Sequence, residues 1–198
     1  VQRGARRLLL TGRSELPERP RWGDPHAELI RRRIQAVQEL EAQGATVQLA
    51  AVELTDPQAV RRLLQGLASP IGGIIHAAGI GPVTPLLASQ SVQTLAACFA
   101  AKVLGTWVLH TVSQDLQLDF FVMFSSAAAT WGGKGQGHYA AANHFLDALA
   151  HARRAQQLPA LSLALGPVAG GGMTAAAPLQ FSDLGLQTLP TTGLGEAL

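Results

Sequence analysis

A single cysteine, a single tyrosine, two methionines and three tryptophans are all that the 198-residue chain holds of those residue types. One cysteine excludes a disulfide framework, and Cys98, set in an apolar stretch, reads as a small buried hydrophobe. Six histidines beside it show no metal-ligand spacing, and His138 with His144 does not form a zinc pair, so no metal site is expected. Charged residues make up 14% against 47% hydrophobic, which excludes a disordered chain. The sequence has no initiator methionine, no signal peptide and no apolar run of about 20 residues, so it reads as a cytoplasmic piece of something longer, with no membrane partner. No internal repeat or low-complexity tract appears, and no Gly-x-Gly-x-x-Gly precedes Arg13.

Charge is unevenly placed: residues 1–33 carry nine arginines against four acids, while the remainder carries six bases against nine acids. Apart from Trp22 no stacking aromatic is interleaved with those arginines. The stretch therefore reads as a solvated face plus one anion-binding arginine, and a nucleic-acid partner is not expected.

The length suits one domain with a sizeable core. Strand-like and helix-like stretches alternate along it, the pattern of an α/β fold with a parallel sheet. Residues 6–11 read as a buried strand, and the Pro-rich residues 14–25 as a loop. Residues 26–43 have helical period and stop at Gly44. A strand over 46–54 follows, and Asp56 reads as the N-cap of a helix carrying Val60, Leu63, Leu64 and Leu67. Ile74 and Ile75 form a short strand before His76, Ala77, Ala78 and Gly79; Leu95, Cys98, Phe99, Val103, Val108 and Leu109 mark an amphipathic helix. Residues 120–124 are a continuous apolar run, too short for a helix, as in a strand buried on both faces. Two serines end it, a glycine-rich loop covers 127–137, a helix covers 139–150, and 160–165 form another strand.

Tyr139 and Asn143 lie one turn apart and face the same way. A free phenol titrates near pH 10, so a tyrosine serves as an acid at neutral pH only where a cation favours its ionised form. No lysine follows Tyr139, and Lys134 lies in the glycine loop; the better candidate is Lys102, on the amphipathic helix beside the strand.

Ser126, Tyr139, Asn143 and Lys102, together with YAAAN and HAAG, resemble the catalytic half of a modular polyketide synthase ketoreductase, a relative of the short-chain dehydrogenases. General short-chain dehydrogenases carry Tyr-x-x-x-Lys; here Asn follows the Tyr and Lys sits on the preceding helix. The thirteen positions from Ser126 to Tyr139 and the thirty-seven from Lys102 to Tyr139 fit the family's spacing.

The resemblance implies a Rossmann-like, doubly wound parallel sheet spanning 1–198 as a partial catalytic subdomain, lacking its first strand, its Gly-rich turn and its last strand. Residues 1–5 then look like the end of the helix after that turn. It implies NADPH as cofactor, held by Arg13 on the 2′-phosphate, Ser14, Glu53, Leu54, Ala77, Ala78, Gly79, Lys102, Tyr139, and the backbone of Pro167 and Val168. Glu53 stands where the family has an Asp, and Leu165-Gly166-Pro167-Val168 where it usually has Trp-Gly-Pro-Trp. The catalytic set is Ser126, Tyr139, Lys102 and Asn143, and the reaction is reduction of a β-ketone on an acyl carrier protein, with a lid over about residues 169–190.

Trp131, eight residues before Tyr139, and the absence of Leu-Asp-Asp after HAAG match members that give an L-configured alcohol; Gln136 in place of His points to the A1 type, with Met173 near the substrate. Trp131 packing in its loop is the structural alternative. The alternative function is a non-catalytic remnant that cannot hold cofactor. The implied partners are the carrier protein, with its phosphopantetheine-bound β-ketoacyl chain, and neighbouring synthase domains, including an N-terminal segment that would complete the sheet.

Overall fold

The computed structural model describes residues 1, 4–80, 91–169 and 187–190. Met173, most of the expected lid and the residues after HAAG from 81 to 90 lie outside the described residues. The chain divides into two compact units, Val1–Glu53 and Leu54–Leu198.

In the first unit, β1 (Arg7–Gly12) runs parallel to β2 (Thr46–Ala51), in register from Arg7 opposite Thr46 to Gly12 opposite Ala51. Between them α1 (Glu28–Ala42) buries Ile34 and Val37, two positions of the apolar stripe read from the sequence. Val37 joins Ala45 and Val47 in a small core, flanked by Leu8, Leu16, Trp22, Leu40 and Leu49. Gly44, at φ +86°, turns the chain from helix to strand in a conformation that costs glycine least. The arginine-rich opening is tied up locally. Arg19 forms a fork on Glu41 at 2.7 and 3.0 Å and lies over the Trp22 ring, Arg21 meets Asp24 at 3.2 Å, and Arg31 and Arg32 share Glu28. Of the expected helix end at 1–5, the described residues show only a turn, in which Gly4 at φ +101° donates its N–H to the Val1 carbonyl.

The second unit opens with α2 (Pro57–Gln65), capped by Asp56, whose carboxylate accepts from the N–H groups of Gln58 and Ala59 at 2.8 and 3.0 Å. Its sheet is wholly parallel, in the order β3 (Gly73–His76), β4 (Phe120–Ser126), β5 (Leu161–Leu165). With neighbours on both sides, β4 buries Phe121, Val122 and Met123, as its apolar run requires. The helix α6 (Gly137–Ala155) packs its Ala142, Leu146 and Leu149 into this core.

Three local features differ from the sequence reading. The helical run after residue 91 comprises α3 (Val92–Phe99), a wide π turn (Ala100–Gly105) and α4 (Thr106–Val112). This run, with mean hydropathy 1.5, is long and apolar enough by composition to span a membrane, contrary to the expected absence of such a stretch. It nevertheless carries Lys102 and His110, both buried in this unit, as core helices can. The glycine-rich loop contains a one-turn helix, α5 (Ala128–Trp131). Finally, α6 continues five residues past its expected end, because Arg153 in its last turn is fully buried. The Arg153 guanidinium lies 3.9 Å from the Phe121 ring centre, donates to the Pro159 carbonyl and approaches His110 Nδ1 at 3.0 Å, so its charge is spread over groups a helix end can reach.

Candidate active site

Strand β4 ends in two serines that face different duties. Ser125 is buried and donates to the Asn143 carbonyl at 3.2 Å, tying the strand end to the start of α6. Ser126 is half-buried, and its hydroxyl oxygen accepts from the Ala128 N–H at 3.2 Å, which leaves the hydroxyl proton available to another acceptor. The one-turn helix α5 thus fixes the oxygen of Ser126 without consuming its donor.

Lys102 comes to the same strand end from the π turn. Only 4% exposed, it donates from Nζ to the Phe124 carbonyl at 2.8 Å, and Nζ stands 5.9 Å from the centre of the Tyr139 ring. Tyr139, in the first turn of α6, is buried, with 9% exposed. One turn on, Asn143 is fully buried; its amide donates to the Tyr139 carbonyl at 2.8 Å, and its Oδ1 has no partner. The amine, phenol, carboxamide and alcohol read from the sequence therefore all belong to the carboxyl end of β4 and the helices beside it. Lys134 is exposed in its loop.

Burial lowers the Lys102 pKa from 10.5 to about 8, against the smaller opposing influences of Cys98 and Asp147. Between those two values the unfolded chain holds a proton that the folded chain has released, so this group's contribution to stability rises with pH from about 8 to 10.5. The gain is on the order of 3 kcal/mol. Urea unfolding at the two ends of that window is expected to show the rise in the parent chain and its loss in Lys102→Met.

After β3, Ala77, Ala78 and Gly79 are exposed backbone. A Cβ built on Gly79 would stand 2.8 Å from Lys102 Cε, so glycine is required for the lysine to lie where it does. Beyond β5, Val168 pairs with Leu189 in a parallel bridge: the Leu189 N–H donates to Pro167 O and the Ala169 N–H to Leu189 O, both at 2.8 Å. In such a bridge the N–H and C=O of Val168 itself face the other way.

In the first unit, Arg13 and Ser14 lie exposed just past β1 and, with Arg33, line a cavity of about 640 Å³. Arg33 went unread in the sequence because it is one of three consecutive arginines, and only the helix phase singles it out. Glu53 is exposed at the end of this unit, and Leu54, half-buried in the second, packs on Gly105 of the π turn. Trp131 is 73% exposed rather than packed in its loop, and Gln136 is half-buried beside Gly133. His76, read only as part of HAAG, and Thr106, not singled out in the sequence, are both buried in this unit.

A parallel α/β sheet whose strand end presents a serine, with a buried lysine set against a tyrosine ring, defines a Rossmann-like reductase of the short-chain dehydrogenase kind. The family described as "KR domain" matches residues 1–170, and the chain belongs to this ketoreductase family. One subunit of the phenolphthiocerol/phthiocerol polyketide synthase of Mycobacterium tuberculosis is 42% identical over 189 residues, which cover 93% of this chain and 10% of that protein. 6-Methylsalicylic acid synthase of Aspergillus terreus is 40% identical over 163 residues, covering 79% and 9%. Among solved structures, the first ketoreductase of the tylosin polyketide synthase superposes with a TM-score of 0.82 at 37% identity, covering 98% of this chain and 40% of that one. An A1-type ketoreductase superposes with a TM-score of 0.79 at 34% identity, covering 96% and 38%. The chain thus spans about a tenth of the length of the curated relatives it matches.

Ketoreductase domains of this kind are oxidoreductases that work with a nicotinamide cofactor, and the residues here fit one. Gly79 leaves bare backbone beside Lys102, Val168 turns its peptide groups away from Leu189, and Asn143 Oδ1 is a buried acceptor in want of a donor.

Proposed function

We propose that the chain catalyses NADPH-dependent reduction of the β-keto group of an acyl chain, carried on the phosphopantetheine of an acyl carrier protein, to an L-configured β-hydroxy group. The observation that carries this reading is the Lys102 ammonium lying 5.9 Å from the centre of the Tyr139 ring at the carboxyl end of β4. Bound NADPH supplies hydride. Tyr139 gives its phenolic proton to the substrate carbonyl oxygen, and the Ser126 hydroxyl hydrogen-bonds the same oxygen, keeping its own proton, and holds it in line. Lys102 stabilises the negative charge left on the phenol and holds the nicotinamide ribose. Asn143 Oδ1 accepts from a relay water or from the ammonium, which accounts for its buried, unpartnered oxygen.

Cofactor choice rests on Arg13, whose guanidinium suits a 2′-phosphate, with Ser14 beside it and Arg33 on the same cavity. Glu53 and Leu54 take the adenine end, Ala77, Ala78 and Gly79 the adenosine backbone contacts, and Pro167 and Val168 the carboxamide. The exposed indole of Trp131, together with Gln136 and Met173, guides the substrate, as in A1-type members. The setting is a cytoplasmic polyketide synthase with neighbouring synthase domains. Chiral chromatography of the product from a carrier-bound β-ketothioester is expected to give the L-alcohol; a D-alcohol overturns the stereochemical assignment, and failure to bind NADPH by fluorescence supports a non-catalytic remnant.

A further inference from the structure

The π turn at Ala100–Gly105 lies on the segment that delivers Lys102. Wide turns of this kind offset backbone carbonyls from the regular helical ladder, and they recur at functional sites. Two side chains address this turn. From the end of β3, the His76 ring lies against the Ala101 backbone; it is 3% exposed and its Nε2 has no partner. One turn beyond Lys102, the fully buried Thr106 donates its hydroxyl to the Lys102 carbonyl at 2.5 Å, a back-bond that loosens and bends a helix rather than strengthening it. Gly105 completes the turn, since a Cβ there would stand 3.1 Å from Leu54 Cβ.

The Lys102 carbonyl is thus held by the Thr106 hydroxyl, and the buried His76 ring stands beside the preceding residue, Ala101. Neither contact adds to the apolar core, and each buries a polar group that a regular helix would not need. What they fix is the backbone from which the lysine side chain leaves, and that side chain then has one carbonyl, Phe124 O, to anchor its ammonium. We propose that His76 and Thr106 are positioning residues that latch the π turn open, so that Lys102 is aimed at Tyr139.

The proposal rests on the reading of Lys102 as the catalytic cation. The titratable groups that bear on the ammonium are Cys98 on α3, His76 on β3, and Tyr139 and Asp147 on α6. His76 stays neutral there, because burial first and the neighbouring ammonium second lower its pKa to about 4, so an uncharged ring stands beside Ala101 throughout the neutral range.

The test uses the full chain, whose only lysines are Lys102 and Lys134, labelled at lysine Cε so that NMR follows each titration, with Lys134→Arg giving the assignment. Thr106→Val keeps the shape and removes the hydroxyl, and His76→Ala removes the ring. Each is expected to move the Lys102 midpoint upward from about 8 as the lysine leaves its buried position, and to lower kcat about tenfold with KM unchanged. Thr106→Ser and His76→Asn, which restore a donor at the same place, are expected to restore both values. A folded Thr106→Val protein with the parent's Lys102 midpoint overturns the latch, whether or not His76→Ala folds. A shifted midpoint with unchanged kcat supports the latch and overturns the catalytic role of Lys102 instead.

Discussion

Tyr139→Phe is expected to lower kcat for β-ketothioester reduction by about 10²–10⁴-fold, the range for loss of a positioned general acid. The substitution removes one oxygen from a side chain only 9% exposed, so packing against α6 and β4 persists and thermal stability should change little. No other group at the site replaces the phenol. Lys102 is tied to the Phe124 carbonyl, and the Asn143 amide to the Tyr139 carbonyl. Ser126 retains a proton, but an alcohol is a far weaker acid than a phenol. The loss should appear in kcat, because a phenyl ring still shapes the pocket while the interaction made only as charge develops on the carbonyl oxygen is gone. NADPH consumption at saturating substrate measures it directly. A Tyr139→Phe protein working at the parent's rate would reject the assignment of the proton donor.

Much of this site is legible from residue type and spacing alone. The run from Phe120 to Phe124 reads as a central strand because an unbroken apolar stretch of that length has nowhere to go except between two neighbours, and β4 lies between β3 and β5. Asp56 reads as a cap because a carboxylate before a proline-led helix meets orphan N–H groups, and it meets two. The pairing of Lys102 with Tyr139 is read from the lack of any lysine after Tyr139 and from the family's spacing, not from helix phase, which the π turn breaks.

What stays hidden depends on tertiary contacts. The π turn has no signature in AAKVLG, since the groups beside it are His76, about 25 positions earlier in the chain, and a threonine that reads as an ordinary helix residue. Arg153 looks like solvent-facing charge in HARRA, and only the nearness of the Phe121 ring and the Pro159 carbonyl offsets the cost of its burial. Arg33 is likewise indistinguishable from Arg31 and Arg32 until α1 is given a phase.

The second large effect concerns a residue with no chemistry of its own. Gly79→Ala places a methyl 2.8 Å from Lys102 Cε, closer than carbon atoms approach, and the neighbour must move. A lysine stem normally yields at little cost. Here it is 4% exposed and its ammonium is tied to the Phe124 carbonyl, so the displacement is passed to Nζ and away from the Tyr139 ring. A shift on the order of 1 Å in a positioned group is worth about 10²-fold in rate, and that loss in kcat is the expected result for Gly79→Ala. Gly73→Ala separates this from simple crowding. Its Cβ would press harder, 2.3 Å from the Phe120 ring, but that ring is 44% exposed at the strand's other end and can swing outward. Gly73→Ala is therefore expected to lower the unfolding midpoint and leave kcat near the parent's, whereas Gly79→Ala lowers kcat with a smaller change in midpoint. Equal losses of kcat in both variants would mean that the site responds to general loosening of β3, and that Gly79 does not act through Lys102.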